Sequence, residues 1–340
     1  MKKYKNSLVL GAFSPPHKGH IYLINTAIKH SEKTHVFVCH RDIDTIDGQY
    51  RYETIRYIYS NNPNVIIYNI KHNKDDYPGE FGTTIDEFYE MWVNIIYSYV
   101  KKLDVVFTSE DYGDEFAQYL GIKHFLVDRL RIKYDICGTD IRTNPHDNWK
   151  YIPNLVKSYF TKKIVLVGPE SSGKSTLTKL IAKKLKTKYV NEYGAEYIKN
   201  IGLNKNTKNN KKFTILDISH IAAGQIYLED ESLKKPKKII IHDTDLITTQ
   251  IWSEIYFNDC PKWIVDESYK RTYDMYLLMD IDFDWVDDGS REFPEKRKTH
   301  FNRIKSELEK RNIKYTLISG SIENRLKQSI KEINKIIKLR

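Results

Sequence analysis

At residue 163 an apolar run, KIVLVG, opens onto GPESSGKST (168–176), and no other feature narrows the fold as much. The spacing is G-x-x-x-x-G-K-[ST]. Placed after a buried strand and before a helix, it winds the backbone into a nest of N–H groups that cradles phosphate. Gly168, Glu170, Ser171, Ser172, Gly173, Lys174, Ser175 and Thr176 are therefore the expected ATP contacts of this loop. Lys174 would reach the β- and γ-phosphates, and the Ser175 hydroxyl would bind Mg²⁺.

A strand-to-helix turn of this kind belongs to a parallel sheet covered by helices, and the same alternation is already running before it. Short apolar strands are expected at 7–10, 36–39, 65–68, 104–108 and 124–127. Helix-period segments lie at 20–29 and 52–59, and a third ends near Val100. After a transitional helix and junction over 150–162 the pattern restarts, with strands near 189–190, 239–241, 276–279 and 315–318. The reading is α/β twice over: a Rossmann-like domain over 1–156 and a P-loop domain over 157–340, both with parallel sheets. The polar stretch NKNTKNNKK (204–212) lacks periodicity and reads as a loop.

Composition removes several function classes. Lys and Arg exceed Asp and Glu by 55 to 45, a net charge of +10, but the lysines are spread along the chain rather than gathered into a stripe. That distribution suits a solvated surface and phosphate ligands, and nucleic acid is not expected as a partner. Three cysteines without a C-x-x-C pair argue against a disulfide framework or a zinc site and fit a reducing, cytoplasmic setting. No apolar run approaches the ~20 residues of a membrane span, and the first residues lack the apolar core of a secretory signal. A homo-oligomer is left open.

A second phosphate site is legible near the start. GAFSPPHKGH (11–20) follows the first strand directly. His17 and His20, spaced H-x-G-H at a helix entry, can both face a triphosphate, while Gly11, Ala12, Phe13 and Gly19 bring backbone close to it. Such histidines need no nucleophile; they stabilise charge while the α-phosphate is attacked in line. CGTDIRTNP (137–145) supplies the partner, with Gly138 in a turn, Thr139 able to cap a helix, and Arg142 one turn in, placed to clamp phosphates. The pair resembles the HIGH-type nucleotidylyltransferase superfamily, in the variant Gly-Thr-x-Ile-Arg followed by Asn-Pro. Class I aminoacyl-tRNA synthetases share the first motif, but no KMSKS-like segment occurs. Between the two motifs, Asp76 and Trp92 sit where a pyridine nucleotide would need a platform, although a Trp on an apolar helix serves equally well as core. TSEDYG (108–113) follows a strand, where folds of this class place ligand contacts.

In the second half, HDTD (242–245) follows an apolar strand and looks like a Walker B segment. It makes Asp243 a carboxylate for Mg²⁺ or for substrate hydroxyls, with Asp245 beside it. Glu192, after the preceding strand, is placed for a base or a hydroxyl contact. Arg291 and Arg297 lie in a charged, Gly-containing stretch that reads as a lid over ATP or as plain surface.

In this order the motifs resemble the bifunctional NadR-type family, nicotinamide-mononucleotide adenylyltransferase joined to ribosylnicotinamide kinase. The likeness rests on GAFSPPHKGH, TSEDYG, CGTDIRTNP, GPESSGKST, EYGAEY, IAAGQ, DTDLITTQIWS and WVDDGSREFP. It implies an enzyme of NAD biosynthesis and pyridine-nucleotide salvage with ATP and Mg²⁺ as cofactors and ribosylnicotinamide and its mononucleotide as substrates. It adds Tyr89 to the pyridine pocket and Tyr193 to the kinase substrate site. Three departures stand out. The first strand begins about seven residues in, so no helix-turn-helix domain is expected ahead of it. The W-x-x-W of the pyridine pocket reads Tyr89-x-x-Trp92. EYGREY has become EYGAEY, with Ala195 where the family has Arg. A nucleotide-sensing regulator with weak kinase turnover, and an adenylyltransferase for another small substrate fused to a kinase, remain open readings.

Overall fold

The computed structural model describes residues 3–72, 84–201, 213–282 and 297–338. Asp76, Arg291 and the stretch 204–212 lie outside these. The chain divides into two compact units, Met1–Val156 and Lys157–Arg340.

In the first unit, β1 (Tyr4–Gly11), β2 (Ser31–His40), β3 (Val65–Lys71), β4 (Val105–Thr108) and β5 (Lys123–Leu126) form one sheet in the order β3-β2-β1-β4-β5. Every pairing is parallel. The central strands β1, β2 and β4 carry buried apolar runs because both of their faces are covered. Val9, Val36, Val38 and Phe107 pack on α1 (Lys18–His30) and α2 (Gly48–Ile58). Leu8, Phe37 and Val106 pack on α3 (Ile85–Tyr99) and α4 (Gly113–Leu120). The chain leaves β1 in one direction for β2 and β3, then returns to its other side for β4 and β5. That switch opens a crevice beyond the carboxyl ends of β1 and β4, where ligands of such sheets bind. The expected strands are all present; β2 reaches back to Ser31, directly behind α1, because its polar start pairs with the beginning of β1 (Tyr4 with Ser31, Asn6 with Lys33). A short α5 (Gly138–Thr143) and α6 (Asn154–Phe160) complete the helices up to the junction.

The second unit repeats the scheme with β6 (Lys162–Val167), β7 (Lys188–Val190), β8 (Ile239–Asp243), β9 (Met275–Met279) and β10 (Tyr315–Ile318), in the parallel order β10-β9-β6-β8-β7. One face carries α7 (Lys174–Leu185) and α13 (Ile322–Lys338) over Ile164, Leu166, Ile241 and Leu277. The other carries α10 (Leu246–Phe257) and α12 (Arg297–Lys310) over Val165, Val167, Tyr276 and Leu278. Around them lie α8 (Tyr193–Asn200), α9 (Ile215–Lys234) and α11 (Lys262–Lys270). No helix among the described residues is long and apolar enough to cross a membrane.

Candidate active sites

The loop after β1 turns directly into α1, and His17 is the residue that starts the helix: its Nδ1 accepts the backbone N–H of His20 at 3.3 Å. That bond holds the two imidazoles face to face, with ring centroids 3.6 Å apart, and Phe13 meets His20 edge-on at 5.0 Å. His17 is buried, and His20 is half-buried with its Nδ1 out of water. Burial, helped by the charge of Arg131, holds His17 down to about 4. Burial and the neighbouring His17 hold His20 well below its ordinary value. At neutral pH the pair is uncharged and able to donate hydrogen bonds to a phosphate.

The second motif closes on the first. A Cβ at Gly138 would lie 2.6 Å from the Ser14 carbonyl oxygen, so only glycine allows this approach. Arg142 donates to that same carbonyl and, at 2.9 Å, to the Thr139 hydroxyl. Thr139 is not the helix cap. Cys137 takes that place, its Sγ accepting from the Asp140 N–H at 3.4 Å while Asp140 accepts from the Cys137 N–H at 2.9 Å. Thr139 lies inside the helix, where its hydroxyl holds Arg142.

Two cavities flank these loops. One, of about 110 Å³, has His17, Gly19, His20 and Gly138 on its wall together with Arg131, Glu110 and Asp128. Arg131 was not legible as a site residue; it arrives from the loop after β5 and is held 3.2 Å from the Glu110 carboxylate. The other, of about 390 Å³, is lined by Gly11 and Ala12 and by aromatic rings, Tyr89, Trp92, Phe88 and Phe116 among them, with Arg41, Asp44 and His72 at its polar side. Trp92 is both core and wall: it packs in the apolar layer under α3 and takes His72 edge-on at 5.2 Å.

In the second unit the Gly168–Thr176 loop bends through left-handed conformations at Ser171 and Gly173. Lys174 Nζ lies 2.9 Å from the Pro169 carbonyl oxygen, and Ser172 Oγ bonds the same oxygen at 2.8 Å. Asp243, at the end of β8, is buried. Its Oδ1 has no hydrogen-bond partner among the described residues. Burial raises its pKa, and Lys174 and Ser175 act against that shift. A carboxylate oxygen left over beside a hydroxyl is a donor set that fits a hard divalent cation. Arg297 donates to the Ser171 carbonyl at 2.9 Å.

One cavity, of about 210 Å³, runs along this loop. Residues 170–176 form one side, and Glu192, Ala195 and Gln225 another. Phe213, Trp252 and Tyr256 provide aromatic faces, Trp252 stacked on Tyr256 at 5.6 Å. Glu192 stands at the N-terminus of α8, on the cavity wall, without its side chain bonding the helix end. Tyr193 and Asp245 do not line it. Tyr193 packs on α9 at Gly224, and its N–H donates to Gln225 Oε1 at 2.9 Å. Asp245 caps α10, accepting from the Thr248 N–H and hydroxyl at 2.9 and 2.8 Å.

Known proteins divide along the same line. Residues 5–130 match the model of the Citrate lyase ligase C-terminal domain, and residues 163–325 match an AAA domain. Across both, the chain is 27% identical over 337 residues to the trifunctional NAD biosynthesis/regulator protein NadR of Salmonella typhimurium strain LT2, covering 92% of this chain and 79% of that protein. The protein of the same name from Escherichia coli strain K12 is 28% identical over 333 residues, 92% and 78% of the two chains. This chain is NadR-like. The crystal structure of NadR protein in complex with NR covers all of the NadR-like chain and 98% of its own at a TM-score of 0.77 and 20% identity. That of NadR protein in complex with NAD and AMP-PNP does so at 0.78 and 18%. At such identity the structural likeness establishes the fold alone: two successive α/β units, each built on a parallel five-stranded sheet.

Proposed function

We propose that the NadR-like chain phosphorylates ribosylnicotinamide to the mononucleotide in its second unit and adenylylates that mononucleotide to NAD in its first. The observation that carries this is the doubling of the site: each unit has its own phosphate loop, and each loop adjoins its own aromatic-walled cavity. The relatives' NAD biosynthesis role and the NR, NAD and AMP-PNP complexes support these substrates for cavities of this character.

In the second unit the nucleoside hydroxyl attacks the γ-phosphorus of ATP, Glu192 accepts the hydroxyl proton, and ADP leaves. Lys174 and the loop N–H groups neutralise the transferred phosphoryl group. Mg²⁺, held by Ser175 and Asp243, would offset the phosphates' charge. In the first unit a phosphate oxygen of the mononucleotide attacks the α-phosphorus of ATP and pyrophosphate leaves. His17 and His20 donate to the charge that develops, and Arg142 holds the leaving phosphates. Trp92 and Tyr89 bound the pyridine side.

The test is incubation with ATP, Mg²⁺ and ribosylnicotinamide, following mononucleotide and NAD by mass. His20→Ala should abolish adenylyl transfer and spare the kinase; Lys174→Ala should do the reverse. Loss of both activities from one folded variant would replace two sites with one.

A further inference from the structure

Among the described residues the two largest side chains wholly removed from solvent are arginines, Arg51 and Arg325, one in each unit. A guanidinium is kept out of water only where its donors are used, and in both cases they are used on loops at the carboxyl ends of adjacent strands. Arg51 donates to the Ala12 carbonyl in the loop after β1 at 2.7 Å. It also meets the Asp44 carboxylate at 2.6 Å and the Asp47 carbonyl at 3.4 Å, both after β2. Arg325 donates to the Ser172 carbonyl in the loop after β6 at 3.1 Å, to the Asp280 carbonyl after β9 at 3.2 Å and to the Gly320 carbonyl after β10 at 2.9 Å. It also pairs with the Asp282 carboxylate. Neither arginine belongs to a phosphate motif, and both reach one.

The consequence follows from the planarity of the peptide. In a trans peptide the C=O of one residue and the N–H of the next point in opposite directions and cannot turn independently. A guanidinium that holds the Ser172 carbonyl sends the Gly173 N–H the other way, and Gly173 is on the cavity wall. The Ala12 carbonyl and the Phe13 N–H are related in the same manner. Each anchor also turns a partial negative charge away from the place where phosphate is to bind.

We propose that Arg51 and Arg325 are positioning residues that set the donor direction of the two phosphate loops. Through the Ala12 and Ser172 carbonyls they govern ATP use in the adenylyltransferase and kinase halves respectively. The proposal rests on the two-site reading above.

The test uses full-length Arg51→Met, Arg51→Lys, Arg325→Met and Arg325→Lys, with kcat and KM for ATP and for the second substrate measured in each half. ATP binding with Mg²⁺ is followed by calorimetry. Arg325→Met should weaken kinase use of ATP, as kcat/KM, by about tenfold to a hundredfold, the scale of a misplaced contact. The KM for ribosylnicotinamide should stay within about twofold and adenylyl transfer should be unaffected. Arg51→Met should show the converse pattern with the mononucleotide. Where a Met variant does not fold, the Lys variant decides, since it keeps charge and length and loses the planar fork. An ATP-selective defect in it supports positioning. An unchanged ATP dependence in a folded variant overturns the proposal, as does an equal loss for both substrates that tracks lost cooperative unfolding. Failure of the wild-type chain to use ATP in one half would sink the two-site reading instead, before any variant is compared.

Discussion

Gly224 offers the sharpest test of how the kinase site is built. It lies in the middle of α9, where glycine costs a helix about 1 kcal/mol relative to alanine, so alanine should by that measure be an improvement. A Cβ placed there falls within 2.5 Å of three carbons of the Tyr193 ring, and ordinary contact begins near 3.4 Å. The ring must therefore retreat by about 1 Å, drawing on the 2.9 Å bond from the Tyr193 N–H to Gln225 and on Glu192, the preceding residue at the start of α8. Overpacking of this kind costs about 1–3 kcal/mol, which leaves Gly224→Ala neutral to about 2 kcal/mol less stable once the propensity gain is counted. The functional cost should be larger. If Glu192 has the proposed role of base, moving it by about 1 Å lowers rates on the order of a hundredfold, so kinase turnover should fall by about that factor while adenylyl transfer is unchanged. Turnover of each half-reaction, with urea unfolding of the same samples, measures both effects. A variant that is more stable by about 1 kcal/mol, with kinase turnover intact, would refute the reasoning. It would mean that Tyr193 can rotate aside without moving Glu192.

Other outcomes are expected. Arg142→Lys keeps the charge but loses the fork that meets Ser14 and Thr139. It should slow adenylyl transfer about tenfold or more and raise the KM for ATP without changing that for the mononucleotide; an unchanged ATP dependence in Arg142→Ala would remove it from the site. Ala195→Arg places a guanidinium on the wall of the kinase cavity and should raise kinase turnover, by up to a hundredfold if it makes a transition-state contact. No change would show that position 195 is indifferent, and rescue from near-zero turnover would favour the sensing reading. His17, held down to about 4 by burial and Arg131, binds its proton more weakly folded than unfolded. Its contribution to stability is whole above pH 6.5 and is lost as the pH falls toward 4, about 2 kcal/mol by pH 5. His17→Gln should remove that slope, as urea unfolding between pH 7 and 5 would reveal; identical slopes in the two chains would mean that His17 is not buried neutral.

The two loops proposed to hold phosphate could be located from the chain because their residues are contiguous. In GPESSGKST and in PPHKGH the spacing itself dictates how a few consecutive peptides must turn, and the apolar runs before them place them at strand ends. The positions of the strands along the chain were legible for the same reason, since a strand buried on both faces announces itself as an apolar run, whereas their order in each sheet came only with the structure. What sequence distance hides is different in kind. The polar start of β2 becomes strand only because Tyr4 and Asn6 lie opposite it. Cys137 rather than Thr139 caps α5 because the cap is decided by which side chain meets the Asp140 N–H. Asp245, two residues past Asp243 in the same motif, caps α10, because β8 ends at Asp243 and Thr244, at a φ of 74°, turns the chain out of the strand. Arg51, Arg131 and Arg325 sit in unremarkable helical or loop sequence. Their roles exist only once the sheet has brought distant carbonyls and carboxylates to one guanidinium, across 39 residues to Ala12 and 153 to Ser172. A local motif states what a loop can bind, and the tertiary structure decides which side chains hold that loop in the binding geometry, because a buried charge takes its partners from whatever folding places beside it.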